Sequence, residues 1–401
     1  MSQSILYHAF GVKGVAYRST DYFGNTIIFN AETTNRYVPC PDCGHRDCNF
    51  KGQKVRLLRM PPIGRKQAML RVTTHRLQCK SCARIWWPQL PFVGGTERYT
   101  RSFALTVLDL LIFGTVKDVA DFLHVSWNLV KGIHKHKLAG TYRHISLSNV
   151  KYLGMDEFSI RKNHRYMTIF VDLQTGRILH AVEGRSTDAI SPFLKHVKKK
   201  ARRLKAIAMD MSTSYTSAVK EILPDIPIVF DRYHVMALMN RQIDDLRREL
   251  QRSLNDEEKK SFKGKRFLLL KNYDNVLDDD RANLDALLKT NAPLYEIHTM
   301  KEQLRLYWEQ HNKKEAVMFL TQWLLDAMKS KVGQLRNIAS TLIDHIHGMI
   351  HYYPHRITNG LLEGLNNKIK TMKRQAYGFR DMAYFTLRLY DLHTTRYAFR
   401  G

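Results

Sequence analysis

Two aspartates, each ending a short apolar run, are the residues best placed for chemistry: Lys151-Tyr-Leu-Gly-Met-Asp156 and Lys205-Ala-Ile-Ala-Met-Asp210. Each run reads as a buried strand, and a carboxylate just past its last core residue is expected at the edge of a sheet. Side by side, two such strands bring two anionic groups together. Paired carboxylates repel unless something positive lies between them, and the usual answer is a divalent cation held by oxygen ligands. A single aspartate in such a place is more often a turn cap. The pair gains weight from a third acidic stretch far downstream, Ile357-Thr-Asn-Gly-Leu-Leu-Glu363-Gly-Leu-Asn-Asn-Lys-Ile-Lys370. There Thr358 or Asn359 can cap a helix whose polar face carries Glu363, Asn366 or Asn367, and Lys370. Two aspartates and one glutamate can hold two Mg²⁺ or Mn²⁺ ions about 4 Å apart, one activating an attacking oxygen and one stabilising the departing oxyanion of a phosphoryl transfer.

A second metal chemistry sits nearer the amino end. Cys40-Pro-Asp-Cys43 and Cys79-Lys-Ser-Cys82 are two C-x-x-C pairs, and two such knuckles supply the tetrahedral sulfur set that zinc prefers. The 35 residues between them contain strands at Lys54 to Met60 and Ala68 to Gln78 joined by Pro61-Pro-Ile-Gly64, so a β-hairpin links the knuckles as a zinc ribbon. Cys48 and His45 are spare ligands, either of which can replace one of the four. Hard carboxylates select Mg²⁺ or Mn²⁺ and thiolates select zinc, so the two sites have separate jobs.

The chain has 401 residues, 44% of them hydrophobic, with 64 Lys and Arg against 37 acids and a formal charge of +27. It can bury a substantial core, and its partner is expected to be a polyanion such as DNA rather than a neutral small molecule. There is no apolar run of about 18 residues and no secretory leader, so a cytoplasmic protein is expected. From Lys51 to Leu90 there are ten Lys or Arg and no acid, with Trp86 and Trp87 alongside. That one-signed hairpin, with Arg56, Arg59, Arg65 and Lys66, suits a nucleic-acid backbone.

The elements that position these groups follow from periodicity. Residues 1–36 form a β-rich segment with a hairpin, Val12 to Tyr17 and Thr26 to Phe29, and residues 37–92 the zinc ribbon. Residues 96–140 hold three helices, the first with Phe103, Leu105, Leu108 and Ile112 on its inner face. Thr115 begins the second with a capping box and Ser126 caps the third. The last two make a helix-turn-helix whose second helix would offer Asn128, Lys131 and Lys135 to a major groove. Residues 148–235 read as three antiparallel strands followed by alternating strand and helix, the order of a ribonuclease-H-like fold. In that order the first and fourth strands are neighbours, and Asp156 faces Asp210. Asp231 and His234 follow the fifth strand and are expected to stand behind the metal ligands, whereas Glu157 should point away by strand alternation. Residues 236–352 carry long amphipathic helices, with Trp308 and Trp323 packing their core. Residues 353–401 carry the glutamate helix and further bases, Lys370, Lys373 and Arg374. The fold class is thus α/β: a ribonuclease-H-like core interrupted by an all-helical insertion, preceded by a zinc ribbon and a helix-turn-helix.

This order of motifs, with Gly154-Met-Asp156-Glu, Ala208-Met-Asp210-Met-Ser, Phe230-Asp-Arg-Tyr-His-Val235 and Thr358-Asn-Gly-Leu-Leu-Glu363-Gly-Leu-Asn-Asn-Lys, resembles the ISL-three family of bacterial insertion-sequence transposases. The resemblance spans roughly residues 37 to 395. It implies that Asp156, Asp210 and Glu363 are a catalytic acidic triad and that Cys40, Cys43, Cys79 and Cys82 bind zinc. It implies also that the helix-turn-helix recognises terminal inverted repeats, which the enzyme cleaves and joins to target DNA. The setting would be bacterial and nucleoid-associated, with a homodimer or larger assembly on DNA. The alternative is a zinc-ribbon and helix-turn-helix DNA-binding regulator with an inactive ribonuclease-H-like core.

Overall fold

Apolar side chains recur at every second position from Ala68 to Val72, and this period of two sets the first sheet. The computed structural model describes residues 5–34, 38–161, 165–253, 255, 259, 262–357 and 360–393. By contact the chain divides into two units, Met1–Arg143 with Thr395–Gly401, and His144–Thr394.

In the first unit, β1 (Val15–Phe23), β2 (Thr26–Thr33), β3 (Cys48–Ile63) and β4 (Lys66–Cys79) lie in the order β1-β2-β4-β3, and the short β5 (Ile85–Trp86) pairs with β4. The amino-terminal hairpin is not a separate segment: β2 runs parallel to β4, with Thr26 opposite Gln67 and Glu32 opposite Thr73. It covers an edge of β4 that would otherwise present unpaired backbone. The β3–β4 hairpin is longer than expected. Pro61 and Pro62 do not make its turn but lie within β3, where the ladder is irregular between Met60 and Ile63. Proline has no N–H for the ladder and is tolerated at such a bulge.

Beside this sheet, helices Arg101–Leu110, Val116–Leu123 and Trp127–Thr141 enclose a small core of Phe103, Val107, Leu123, Val130 and Ile133. The Thr115 capping box and the Ser126 cap are both formed. The first helix stops at Leu110, so its buried stripe is Phe103 and Val107. Leu105 and Ile112, expected on the inner face, are each 61% exposed.

In the second unit, β6 (Tyr152–Arg161), β7 (Arg165–Asp172), β8 (Arg177–Glu183), β9 (Ala206–Met209) and β10 (Ile228–Phe230) take the order β10-β9-β6-β7-β8. The pairs β6–β7 and β7–β8 are antiparallel, and β6–β9 and β9–β10 are parallel. Helices Thr187–Lys200 and Thr213–Ile222 cover one face, packing Leu194, Val197, Val219 and Ile222 on Leu153, Met155, Ile207 and Met209. On the other face, helices Gly360–Gln375 and Met382–Asp391 pack Leu362, Leu365, Ile369 and Phe385 on Phe158, Ile160 and Ile169.

Between Phe230 and Gly360 every described regular element is a helix, from Arg232–Ser253 to Tyr352–His355. Their core includes Leu294, Leu304, Leu320 and Leu335, and Trp308 and Trp323 are buried in it as expected. Among the described residues, no helix is long and apolar enough to cross a membrane.

Candidate metal centres

Register brings the strand-end acids together. Gly154 pairs with Ala208, and Ala208 with Val229, so these three residues are level across β6, β9 and β10. The three strands are parallel, so the same register carried two residues further, past the last β6–β9 pair, would set Asp156, Asp210 and Asp231 level on adjacent strands about 4.8 Å apart. The ladder continues past β10, because Asp231 N donates to Met209 O at 3.1 Å. Asp210 and Asp231 stand just beyond their strands, as expected. Asp156 does not: β6 continues to Arg161 because its antiparallel partner β7 extends alongside, so this aspartate is set in mid-strand.

Asp210 and Asp231 each also hold the turn that follows them. Asp210 Oδ1 accepts from Ser212 N at 3.0 Å, and Asp231 Oδ1 accepts from Tyr233 N at 3.2 Å where the next helix begins. His234 Nε2 lies 3.9 Å from Asp231 Oδ2. Burial pushes the Asp156 carboxyl above the usual carboxylate range. The Glu157 N–H, the Asn366 amide and the charge of His234 oppose that shift, while the charge of Asp210 adds to it. Glu157 faces the opposite side of the sheet, where its Oε1 meets Arg185 Nη1 at 3.1 Å.

Helix Gly360–Gln375 is locked onto this cluster by a residue that the sequence placed only on a polar face. Asn366 Nδ2 donates to Asp156 Oδ2 at 2.7 Å. Its Oδ1 is buried without a hydrogen-bond partner. The amide is held in this sense because its oxygen would repel the carboxylate. Glu363 lies three residues earlier, about 4.5 Å along the helix axis and on nearly the same face, and is exposed. It is not closed onto the aspartates: among the described residues, the four cysteines are the one group of three or more ligand-type side chains with atoms all within 4.8 Å. The capping residues expected for this helix, Thr358 and Asn359, lie outside the described residues. Gly154 permits the close approach of the helix, since a Cβ there would lie 3.1 Å from Leu362 Cδ1 and 2.7 Å from Leu173 Cδ2.

The cysteines form a closed site. Cys40 Sγ lies 3.5 Å from Cys82 Sγ, and Cys43 Sγ lies 3.5 Å from Cys79 Sγ. A tetrahedron of sulfurs about 2.3 Å from zinc has edges of roughly 3.8 Å, so the set fits structural zinc. The two knuckles repeat one backbone pattern: Cys40 N donates to His45 O and Gly44 N to Cys40 O, as Cys79 N does to Arg84 O and Ala83 N to Cys79 O. Backbone N–H groups of Cys82 and Ser81 aimed at Cys79 hold its thiol down to about 6. Cys48 lies opposite Cys79 in the ladder, and neither it nor His45 joins the set. Burial and the neighbouring Cys79 and Cys40 raise the Cys48 thiol, which keeps it protonated.

The bases expected at a nucleic-acid surface fall into two groups. Arg65 and Lys66 are exposed at the tip of the β3–β4 hairpin, Asn128 at the start of the third helix, and Lys370 and Arg374 on the glutamate helix. Lys131 lies half-buried, its Nζ 5.1 Å from the Trp127 ring, and Lys135 is half-buried one turn on. Three others have partners inside the fold, which charge alone does not reveal. Arg56 Nη2 donates to Glu97 O at 2.6 Å, and Lys373 Nζ to Ser159 O at 2.5 Å. Arg59 bonds Gln67 Oε1 and Leu123 O at 2.6 Å each, tying the hairpin to the helix pair.

Three sequence-family models match the chain in order. Residues 36–82 match the zinc-finger of transposase IS204/IS1001/IS1096/IS1165, residues 88–136 the helix-turn-helix domain of transposase family ISL3, and residues 153–389 a model of ISL3 type described as transposase. The transposase for insertion sequence element IS1001 of Bordetella parapertussis is 32% identical over 370 residues, 91% of each chain. The transposase for insertion sequence element IS1557 of Mycobacterium tuberculosis is 24% identical, over 85% of this chain and 82% of its own. Among solved structures, the Drosophila P element transposase strand transfer complex overlaps 74% of this chain and 92% of that chain at 10% identity, with a TM-score of 0.40, too slight a likeness to bear on the fold.

Proposed function

Because the chain belongs to the ISL3 family of insertion-sequence transposases, we propose that it binds the terminal inverted repeats of its element and cuts and joins DNA strands at an acidic metal site. The catalytic unit is read as a ribonuclease-H-like core, since three antiparallel strands are followed by two parallel ones in the order β10-β9-β6-β7-β8. The helices between Phe230 and Gly360 are its all-helical insertion.

Asp156, Asp210 and Glu363 are the groups that would hold Mg²⁺ or Mn²⁺. The bound ions would activate the attacking oxygen, water or a DNA 3′-hydroxyl, and offset charge on the departing one. The donor set fits hard cations: it is all oxygen, its Asp156 carboxylate is penalised by burial, and the Asn366 Oδ1 beside it lacks a partner. Asn366 orients Asp156, and the flexible Glu363 side chain supplies the third carboxylate from one turn away. Asp231 and His234 stand at the flank of the pair, with His234 Nε2 3.9 Å from Asp231 Oδ2. Asn128, Lys131 and Lys135 are proposed to read the inverted repeat, and Arg65, Lys66, Lys370 and Arg374 to hold phosphates. Two DNA ends react together, so a homodimer or larger assembly forms on DNA.

The observation that carries this reading is the pairing of β6 with β9 just before Asp156 and Asp210, with the Glu363 helix fastened to Asp156 at 2.7 Å. Asp156→Asn, Asp210→Asn and Glu363→Gln should each lower Mg²⁺-dependent cleavage of a labelled inverted-repeat duplex by roughly a thousandfold or more. Binding of the duplex should be retained. A variant that still cuts removes its residue from the site. A wild-type protein that shifts the duplex without cutting it, even with Mn²⁺, is a DNA-binding regulator instead.

A further inference from the structure

The amino-terminal hairpin lies outside all three matched stretches and has no assigned role. Its turn is Gly24-Asn25, and that of the β3–β4 hairpin is Gly64-Arg65. With Thr26 opposite Gln67 and Ile63 opposite Lys66, both turns leave the sheet at the same end. They are bonded to one another: Gln67 N donates to Asn25 O at 2.9 Å, and Asn25 Nδ2 to Arg65 O at 3.2 Å. The zinc knuckles stand at the other end of the hairpin, where Cys48 faces Cys79. With 14 residues in β4, the separation is about 46 Å.

This double turn leaves two aromatic side chains in solvent. Tyr22 is 68% exposed and Phe23 61% exposed, although large aromatic side chains ordinarily find cover. Tyr22 and Phe23, successive in β1, stand on opposite faces of the strand; Lys66 Nζ lies 5.9 Å from the Tyr22 ring, and Arg65 is exposed at the turn. An aromatic ring on each face of a narrow tip, beside two exposed cations and stiffened from behind by a sheet, matches the chemistry of a DNA groove: phosphates on the rims and base faces within. Proteins that enter the minor groove commonly wedge apolar side chains between base pairs.

We propose that the tip is a second DNA-binding element, in which Arg65 and Lys66 hold phosphates while Tyr22, on the face it shares with Lys66, wedges against a base step in the minor groove and Phe23, on the other face, packs along the groove wall. The proposal rests on the reading of the protein as a binder of duplex DNA and adds to it the place and manner of contact.

The test uses the full zinc-loaded chain and a short A·T-rich duplex carrying 2-aminopurine, whose fluorescence rises when a base is unstacked. Tyr22→Ala/Phe23→Ala should weaken binding about tenfold or more and abolish the fluorescence rise. It should leave the slope of log Kd against log salt unchanged. Arg65→Ala/Lys66→Ala should instead reduce that slope by about two. Zinc content and circular dichroism check that each variant is folded, and Tyr22→Phe should bind as wild type. Wild-type affinity with unaltered fluorescence in the folded aromatic variant overturns the proposal while the DNA-binding reading stands. Loss of self-association with DNA binding intact overturns it too, making the tip a contact between copies. Failure of the wild-type chain to bind the duplex overturns both.

Discussion

Lys301 has 1% of its side chain exposed, yet its ammonium is fully engaged. Its Nζ bonds Leu269 O at 3.1 Å and Lys271 O at 2.5 Å, pairs with Glu302 Oε1 at 2.9 Å, and lies 3.4 Å from His298 Nε2. A buried ammonium donating to an imidazole requires that imidazole to be neutral. Burial, and then the Lys301 charge, push His298 down to about 4. An unfolded histidine titrates near 6.5, so between those values the unfolded chain takes up a proton that the folded one refuses. Stability is therefore whole above about pH 6.5 and declines as pH falls toward 4, by a total of about 3 kcal/mol from this residue. His298→Gln, which keeps an acceptor for Lys301, should remove that part of the decline. Urea midpoints of the two proteins should converge as pH falls, and parallel curves would show that His298 is charged in the folded state. The sequence marks both residues only as polar positions in one helix with Glu302; the Leu269 and Lys271 carbonyls that complete the ammonium's partners come from a distant segment.

The association of elements at the acidic site turns on how closely the glutamate helix can approach β6. Gly154 is two residues before Asp156 and shares its face of the strand, and its missing side chain leaves room for Leu362 and Leu173. Gly154→Val would force both leucines outward and shift the helix that bears Asn366 and Glu363. Overpacking of this kind costs about 1–3 kcal/mol. Urea denaturation should report that loss, and cleavage should fall more than duplex binding does; unchanged cleavage would mean that the helix position is not critical. Local signals read from sequence place the helix starts at Thr115 and Ser126 well, because a cap depends on neighbours three residues away. They do not give strand lengths. β6 outruns its apolar run because β7 pairs alongside it, and β3 absorbs two prolines because the ladder bulges.

At the scale of the whole molecule, the zinc site belongs to the Met1–Arg143 unit and the acidic site to His144–Thr394, and each unit has its own packed core. Removal of zinc should therefore act on one unit. A structural zinc contributes on the order of 10 kcal/mol to folding, so chelation should eliminate or sharply lower the calorimetric transition of the first unit. The transition of the second should stay in place, and duplex binding should be lost with the first. Cys48→Ser should keep one zinc per chain in a chromogenic assay, whereas Cys43→Ser should not. Zinc lost from Cys48→Ser would place that thiol among the ligands.

Composition and motif spacing by themselves determined the class of partner, the four thiolates, the order of the domains and the identity of the strand-end acids. These are consequences of charge, ligand chemistry and short-range periodicity, all written within a few residues of chain. What only the tertiary structure decided depends on contacts between distant segments. It pairs the strands that lead to Asp156, Asp210 and Asp231, gives Asn366 to Asp156 across 210 positions, excludes Cys48 from the sulfur set, and brings two hairpin turns to one tip. No local pattern encodes such pairings, because strand register and helix docking are settled by the packing of the whole core.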